Sequence, residues 1–147
     1  MWKALDRWFS RGGNGSRSSG PIVLVALIVA DQDRRVLADV CTRNGWGVRF
    51  ATTCGEAWEA LTADKAPVVL CDRDLPGADW RDIVHMMASC PHRPCAMLLS
   101  KVADDYLWNE VIARGGYDVL AKPLREDEVT RAVRLAWTYW SSAVVKR

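Results

Sequence analysis

The segment "VVLCDRDLPGADW" (Val68–Trp80) opens with four apolar residues and then delivers Asp72, Asp74 and Asp79 in close succession. A short apolar run bounded by turn residues reads as a strand buried on both faces, the type found in parallel sheets. Carboxylates have no place inside such a strand, so Asp72 marks its end, at a sheet edge where polar groups from neighbouring strands converge.

Outward from this segment the same form repeats. Apolar runs at Ile22–Ala30, Val48–Thr52, Pro67–Cys71, Ala96–Ser100 and Tyr117–Ala121 alternate with stretches of helical periodicity. The helical sets begin with Val36, Leu37, Val40 and Cys41, then Ala57, Trp58, Ala60 and Leu61, then Ile83, Val84 and Met87. Tyr106, Leu107, Val111 and Ile112 form the fourth, and Val129, Ala132, Val133, Ala136, Trp137 and Trp140 the fifth. Thr53 followed by Glu56 predicts a capping box, Asp79 and Asp104 predict N-caps, and Gly45 and Gly115–Gly116 predict helix ends. Alternating strands and helices imply a five-stranded parallel sheet with helices on both faces and right-handed crossovers. This is an open, doubly wound α/β domain, whose site lies at the carboxyl ends of the strands.

Composition is consistent with one such domain: 147 residues, half of them apolar. The 20 basic and 18 acidic residues nearly cancel, which argues against non-specific attraction to nucleic acid or anionic lipid. Five cysteines, an odd number scattered through apolar segments, suit reduced thiols in the cytoplasm better than a disulfide framework. The longest apolar run is nine residues, against the roughly 20 a spanning helix needs, so no transmembrane segment is expected. Lys3, Arg7, Arg11 and Arg17 precede that run in the manner of a signal peptide, but cleavage near Ala30 would discard the first strand. Residues 1–20 read as a flexible tail and linker: "RGGNGSRSSGP" has too little apolar surface to order itself, and "MWKALDRWF" before it is at most a short amphipathic helix. The domain is expected over 21–142, with 143–147 as a C-terminal tail.

The residues that follow each strand carry the chemistry. Asp31, Gln32 and Asp33 come after the first, Asp72 ends the third, Ser100 ends the fourth, and Lys122 with Pro123 follows the fifth. Clustered carboxylates repel unless a cation joins them, and oxygen ligands suit a hard ion such as Mg²⁺. A hydroxyl and an ammonium beside them complete a cradle for a phosphoryl group. No P-loop is present, and "GGNG" precedes a strand, so a bound nucleotide is not expected. A carboxylate that attacks a phosphoryl donor and carries the phosphate is the remaining use of these groups.

At this point the chain resembles a known family, the receiver domains of two-component response regulators, over about residues 21 to 140. "CDRDLPG", with Pro-Gly four residues beyond Asp72, and "GGYDVLAKP" carry the resemblance, together with the ordered set Asp72, Ser100 and Lys122 on successive strands. The resemblance implies a flavodoxin-like strand order of 2-1-3-4-5, Asp72 as phosphoacceptor, and a Mg²⁺ set of Asp31, Asp33 and Asp72. It also implies Ser100 as the switch hydroxyl and Lys122 as the lysine that pairs with the phosphoryl group, usually across a cis bond to Pro123. A histidine kinase or phosphotransfer protein would be the donor. The face of the fourth helix, fifth strand and fifth helix would meet a downstream protein, and Trp108, Trp137, Tyr139 and Trp140 fall on it.

Several positions depart from the family. Its paired acids after the first strand become "VADQD", so that either Asp31 with Asp33 or Asp31 alone must serve. The fourteen positions from Asp31 to Gly45 leave a first helix about a turn shorter than usual. Val119 stands where the family commonly has an aromatic, and Lys101 follows Ser100 where a small residue is usual, either blocking the pocket or adding a second cation. Asp74 is a modulator of phosphate lifetime or a solvated loop charge. "CPHRPC" (Cys90–Cys95) holds three possible zinc ligands but lacks a fourth, and reads as a loop.

With one helix after Pro123, the expected function is a single-domain receiver phosphorylated on Asp72 in a Mg²⁺-dependent reaction, signalling by protein contact and not by binding nucleic acid directly. The alternative is a degenerate, unphosphorylated receiver acting as an adaptor. A small Mg²⁺-dependent phosphohydrolase is a third and weaker reading, because the second acid at the required spacing, Asp74, sits on the third strand.

Overall fold

The computed structural model describes residues 22–146. The readings of residues 1–20 as tail, linker and short helix therefore lie outside the described residues. The described chain alternates β1 (Val23–Leu27), α1 (Asp31–Asn44), β2 (Gly47–Ala51), α2 (Cys54–Asp64), β3 (Val68–Asp72), α3 (Trp80–Ala88), β4 (Cys95–Ser100), α4 (Asp105–Ala113), β5 (Asp118–Ala121) and α5 (Glu126–Lys146). All neighbouring strands are parallel, in the order β2-β1-β3-β4-β5. The doubly wound, flavodoxin-like expectation holds in full.

Side-chain alternation along each strand divides the core in two. Val23, Val25 and Leu27 of β1 face a cluster completed by Ala57, Ala60 and Leu61 of α2, Ile83, Val84 and Met87 of α3, and Leu107 and Val111 of α4. Leu24 and Ala26 of β1, with Ile28 just past its end, face the opposite cluster, formed with Leu37 and Val40 of α1 and Val129, Val133 and Ala136 of α5. Both faces of the central strands are therefore dry, which is why their sequences are continuous apolar runs.

The helix signals act as expected. The Thr53 hydroxyl accepts from Glu56 N at 3.1 Å while Glu56 Oε1 accepts from Thr53 N at 3.2 Å, a complete capping box. Asp79 accepts from Arg81 N at 3.0 Å and Asp104 from Leu107 N at 2.9 Å. Gly45 caps α1 in the left-handed region at φ 71°.

Gly116 has a packing reason to lack a side chain. A Cβ there would lie 2.5 Å from Val111 Cγ1 and 3.0 Å from both Val111 O and Val84 Cγ1. Gly116→Ala is expected to destabilise the domain by about 1–3 kcal/mol in urea unfolding, because Val84 and Val111 are fully buried and have nowhere to shift.

Two boundaries differ from expectation. The strand read as Ile22–Ala30 stops at Leu27, because its neighbours pair with it no further, and Ile28–Ala30 form the connection to α1. The expected tail at 143–147 is helical as far as Lys146, since "WSSAVVK" contains no Gly or Pro to end α5.

Candidate functional site

Parallel register brings the chemistry to one edge. Asp72 is the last residue of β3 and lies opposite Leu99, so Ser100 ends β4 one step further. Ser100 in turn lies opposite Ala121, and Lys122 follows directly, its N–H donating to Ser100 O at 2.9 Å. The Lys122–Pro123 bond is cis. Lys122 Nζ donates to Asp72 Oδ2 at 2.5 Å and lies 3.1 Å from Asp33 Oδ2. These three side chains are only 11%, 5% and 12% exposed, so the triad is a buried ion cluster. Asp72 Oδ1 is also engaged, accepting from Asp74 N at 2.9 Å.

Burial works against the Lys122 ammonium, but hydrogen bonds and charge from Asp72 and Asp33 outweigh it and hold the group protonated above the ordinary lysine range. Asp33 reaches the site from the first turn of α1, where carboxylates also face the positive end of the helix dipole. Asp31, the first residue of α1, is exposed, and no hydrogen bond or ion pair joins it to Asp33, Asp72 or Lys122. Of the acids expected after the first strand, only Asp33 is therefore brought into contact with Lys122 and Asp72.

What flanks Asp72 on the β1 side is apolar. Leu27 lies opposite Cys71, so Ile28, and not Asp31, is level with Asp72, with Val29 next. Ile28 is fully buried, and its carbonyl accepts from Arg34 Nε at 2.6 Å. α1 itself runs Asp31–Asn44, fourteen residues, the span read from the sequence.

A Mg²⁺ ion seeks about six oxygens at 2.0–2.1 Å. Here the ammonium of Lys122 sits between the two carboxylates, Ile28 and Val29 offer no side-chain oxygen, and the Ile28 carbonyl is occupied by Arg34. Among the described residues no group of three His, Cys, Asp or Glu side chains is arranged to hold a metal ion. The expected set of Asp31, Asp33 and Asp72 does not fit Mg²⁺ in this arrangement, because the acids enter through a helix turn instead of the strand end.

Other candidates separate clearly. Ser100 is fully buried, and its hydroxyl accepts from Val102 N at 3.1 Å, shaping the loop after β4. Lys101 is exposed and makes no ion pair among the described residues. The Asp74 carboxylate is 59% exposed and 3.8 Å from Arg73, with only its backbone N–H directed at Asp72. Val119 packs against the α2–α4 core cluster. Cys90 Sγ lies 3.4 Å from His92 Nδ1, while Cys95 points into the opposite core cluster and donates to Ala136 O, so "CPHRPC" does not converge. Trp108 and Tyr139 are exposed on α4 and α5, whereas Trp137 and Trp140 pack partly into the core.

Burial pushes the thiols of Cys41, Cys71 and Cys95 up to about 12. An unfolded thiol ionises near about 8.5. Above that pH the unfolded chain releases protons that the native chain keeps, so stability falls as pH rises, by at most about 1.4 kcal/mol per pH unit for each thiol. The denaturant midpoint is expected to be level from pH 7 to 8 and to fall from about pH 8.5 upward. Lys122 adds to the loss in the same direction above the ordinary lysine range.

Comparison with known proteins agrees with this fold. The family model described as the response regulator receiver domain matches residues 26–134. The C4-dicarboxylate transport transcriptional regulatory protein DctD of Rhizobium meliloti (strain 1021) is 30% identical over 114 residues, covering 76% of this chain and 25% of that protein. The chain thus spans about a quarter of the length of that relative. Among solved structures, a putative response regulator from Chloroflexus aurantiacus J-10-fl superposes with a TM-score of 0.72 at 23% identity, covering 80% of this chain and 98% of that one. The signal receiver domain of an HD domain-containing protein from Pseudomonas fluorescens Pf-5 gives a TM-score of 0.75 at 20% identity, covering 86% and 93%. These two likenesses speak for the fold, and the family match over most of the described residues speaks for more: the chain belongs to the response regulator receiver domain family.

Proposed function

We propose that this chain is a signalling receiver, not an enzyme, that acts by protein contact from a state set by the Asp33–Lys122–Asp72 triad, without phosphorylation of Asp72. The observation that carries this reading is the buried ammonium between the two carboxylates, beside an apolar Ile28–Val29 edge. Both oxygens of Asp72 already have donors, so its carboxylate is a weak nucleophile toward an incoming phosphoryl group. Output would pass through the surface of α4, β5 and α5, where Tyr106, Trp108 and Tyr139 are exposed. Five free cysteines suit a reducing, cytoplasmic setting. No helix of the described residues is long and apolar enough to cross a membrane.

A second reading has its own support in the order Asp72, Ser100 and Lys122 on adjacent strand ends. In it Asp72 is the phosphoacceptor, fed by a histidine kinase or phosphotransfer protein. Asp31 and Asp33 join Asp72 around Mg²⁺, Ser100 and Lys122 contact the phosphoryl group, and Asp74 and Lys101 modulate it. Incubation with a small acyl phosphate and Mg²⁺, followed by intact-mass measurement, decides between them. Wild type is expected to gain no phosphoryl mass; a gain that disappears in Asp72→Asn would establish the second reading.

A further inference from the structure

We infer that Lys122 is the resident cation of the Asp72 pocket and that Asp33 is the positioning residue that keeps it there, making this receiver blind to Mg²⁺. The inference rests on the reading that the triad sets the signalling state. It goes beyond that reading by assigning a cause to each residue around the pocket.

Two carboxylates this deeply buried require a positive charge between them. A mobile lysine would yield its place to a divalent ion. Lys122 is held from two sides, by Asp72 at the end of β3 and by Asp33 from the first turn of α1. Asp33 is placed for this role because the connection from β1 is tightened by Arg34, whose Nε binds the Ile28 carbonyl and whose guanidinium lies 5.3 Å over the Phe50 ring. The residue level with Asp72 on that side is then Ile28, packed into the α1–α5 core cluster, followed by Val29, 40% exposed. A metal arriving at Asp72 would meet an edge without side-chain oxygens, a carbonyl already taken and an ammonium that repels it. Removing one obstacle should therefore restore binding only in part, and the oxygen missing at Val29 is the one that can be supplied without burying a new charge.

The test is titration calorimetry with MgCl2 on the full chain, with NaCl at matched ionic strength as control. Wild type is expected to give no saturable heat. Val29→Asp, at an exposed position, is expected to gain saturable binding that Asp72→Asn abolishes. Asp33→Asn, which frees Lys122 on one side, is expected to raise the Mg²⁺ affinity of the Val29→Asp protein further. Saturable binding to wild type that is lost in Asp72→Asn would overturn the inference, and so would a folded Val29→Asp protein as indifferent to Mg²⁺ as wild type. Failure of the functional reading looks different: phosphoryl labelling of Asp72 in EDTA would refute that reading and leave this inference standing, whereas Mg²⁺ binding without labelling would do the reverse.

Discussion

Lys122→Ala is expected to destabilise the domain by about 3–5 kcal/mol, a drop of roughly 10–15 °C in thermal midpoint. The mutation leaves Asp33 and Asp72 buried with no cation between them, and neither carboxylate has enough solvent contact to recover its hydration. The sign follows from the asymmetry of buried pairs: removing one partner exposes the full desolvation cost of the other. Asp72→Asn leaves Lys122 paired with Asp33, so it is expected to cost less than half as much. In a double-mutant cycle the two changes should then be strongly non-additive, with Lys122→Ala much milder in the Asp72→Asn background. Thermal unfolding at pH 7 followed by circular dichroism checks all three proteins.

The second large effect lies in the packing that holds the pocket in register. Leu70 is fully buried on β3, two residues before Asp72, in the cluster shared with α1 and α5. Leu70→Ala is expected to cost about 3–4 kcal/mol, the transfer of the lost atoms plus the cavity they leave in a sheet that cannot collapse around it. Urea unfolding at constant m-value measures it. The same substitution at Leu135, 53% exposed on α5, should change stability by no more than about 0.5 kcal/mol.

Much of this molecule was legible because its signals are local. Five apolar runs separated by helical periodicity specify five strand–helix units, and a sheet dry on both faces leaves little other way to assemble them. Thr53 with Glu56, Asp79 and Asp104 cap the helices they precede, because a side-chain oxygen at that position meets a free backbone N–H whatever the rest of the fold does. Asp72, Ser100 and Lys122 converge because each lies at or just past the end of a strand in a parallel register.

Where the reading failed, the deciding interaction is not local. Nothing in "IVLVALIVADQD" marks Leu27 as the last paired residue of β1; its pairing ends there, opposite Ala51 of β2 and Cys71 of β3, and the nine-residue apolar run is longer than the paired strand. Asp31 and Asp33 look equivalent in sequence, yet two residues along a helix is about 200°, so one faces Lys122 and the other solvent. The hold of Arg34 on the Ile28 carbonyl spans six positions and has no sequence signature. Likewise the end of α5 escaped notice because no breaker marks it.

The central claim is that an ammonium, and not a metal ion, neutralises the Asp72 pocket. Crystals grown in excess MgCl2 address it directly. The expected density shows Lys122 Nζ between Asp33 and Asp72, with no octahedral ion at the end of β3. An ion bound to the Asp72 carboxylate, with Lys122 turned away from Asp33, would contradict the account.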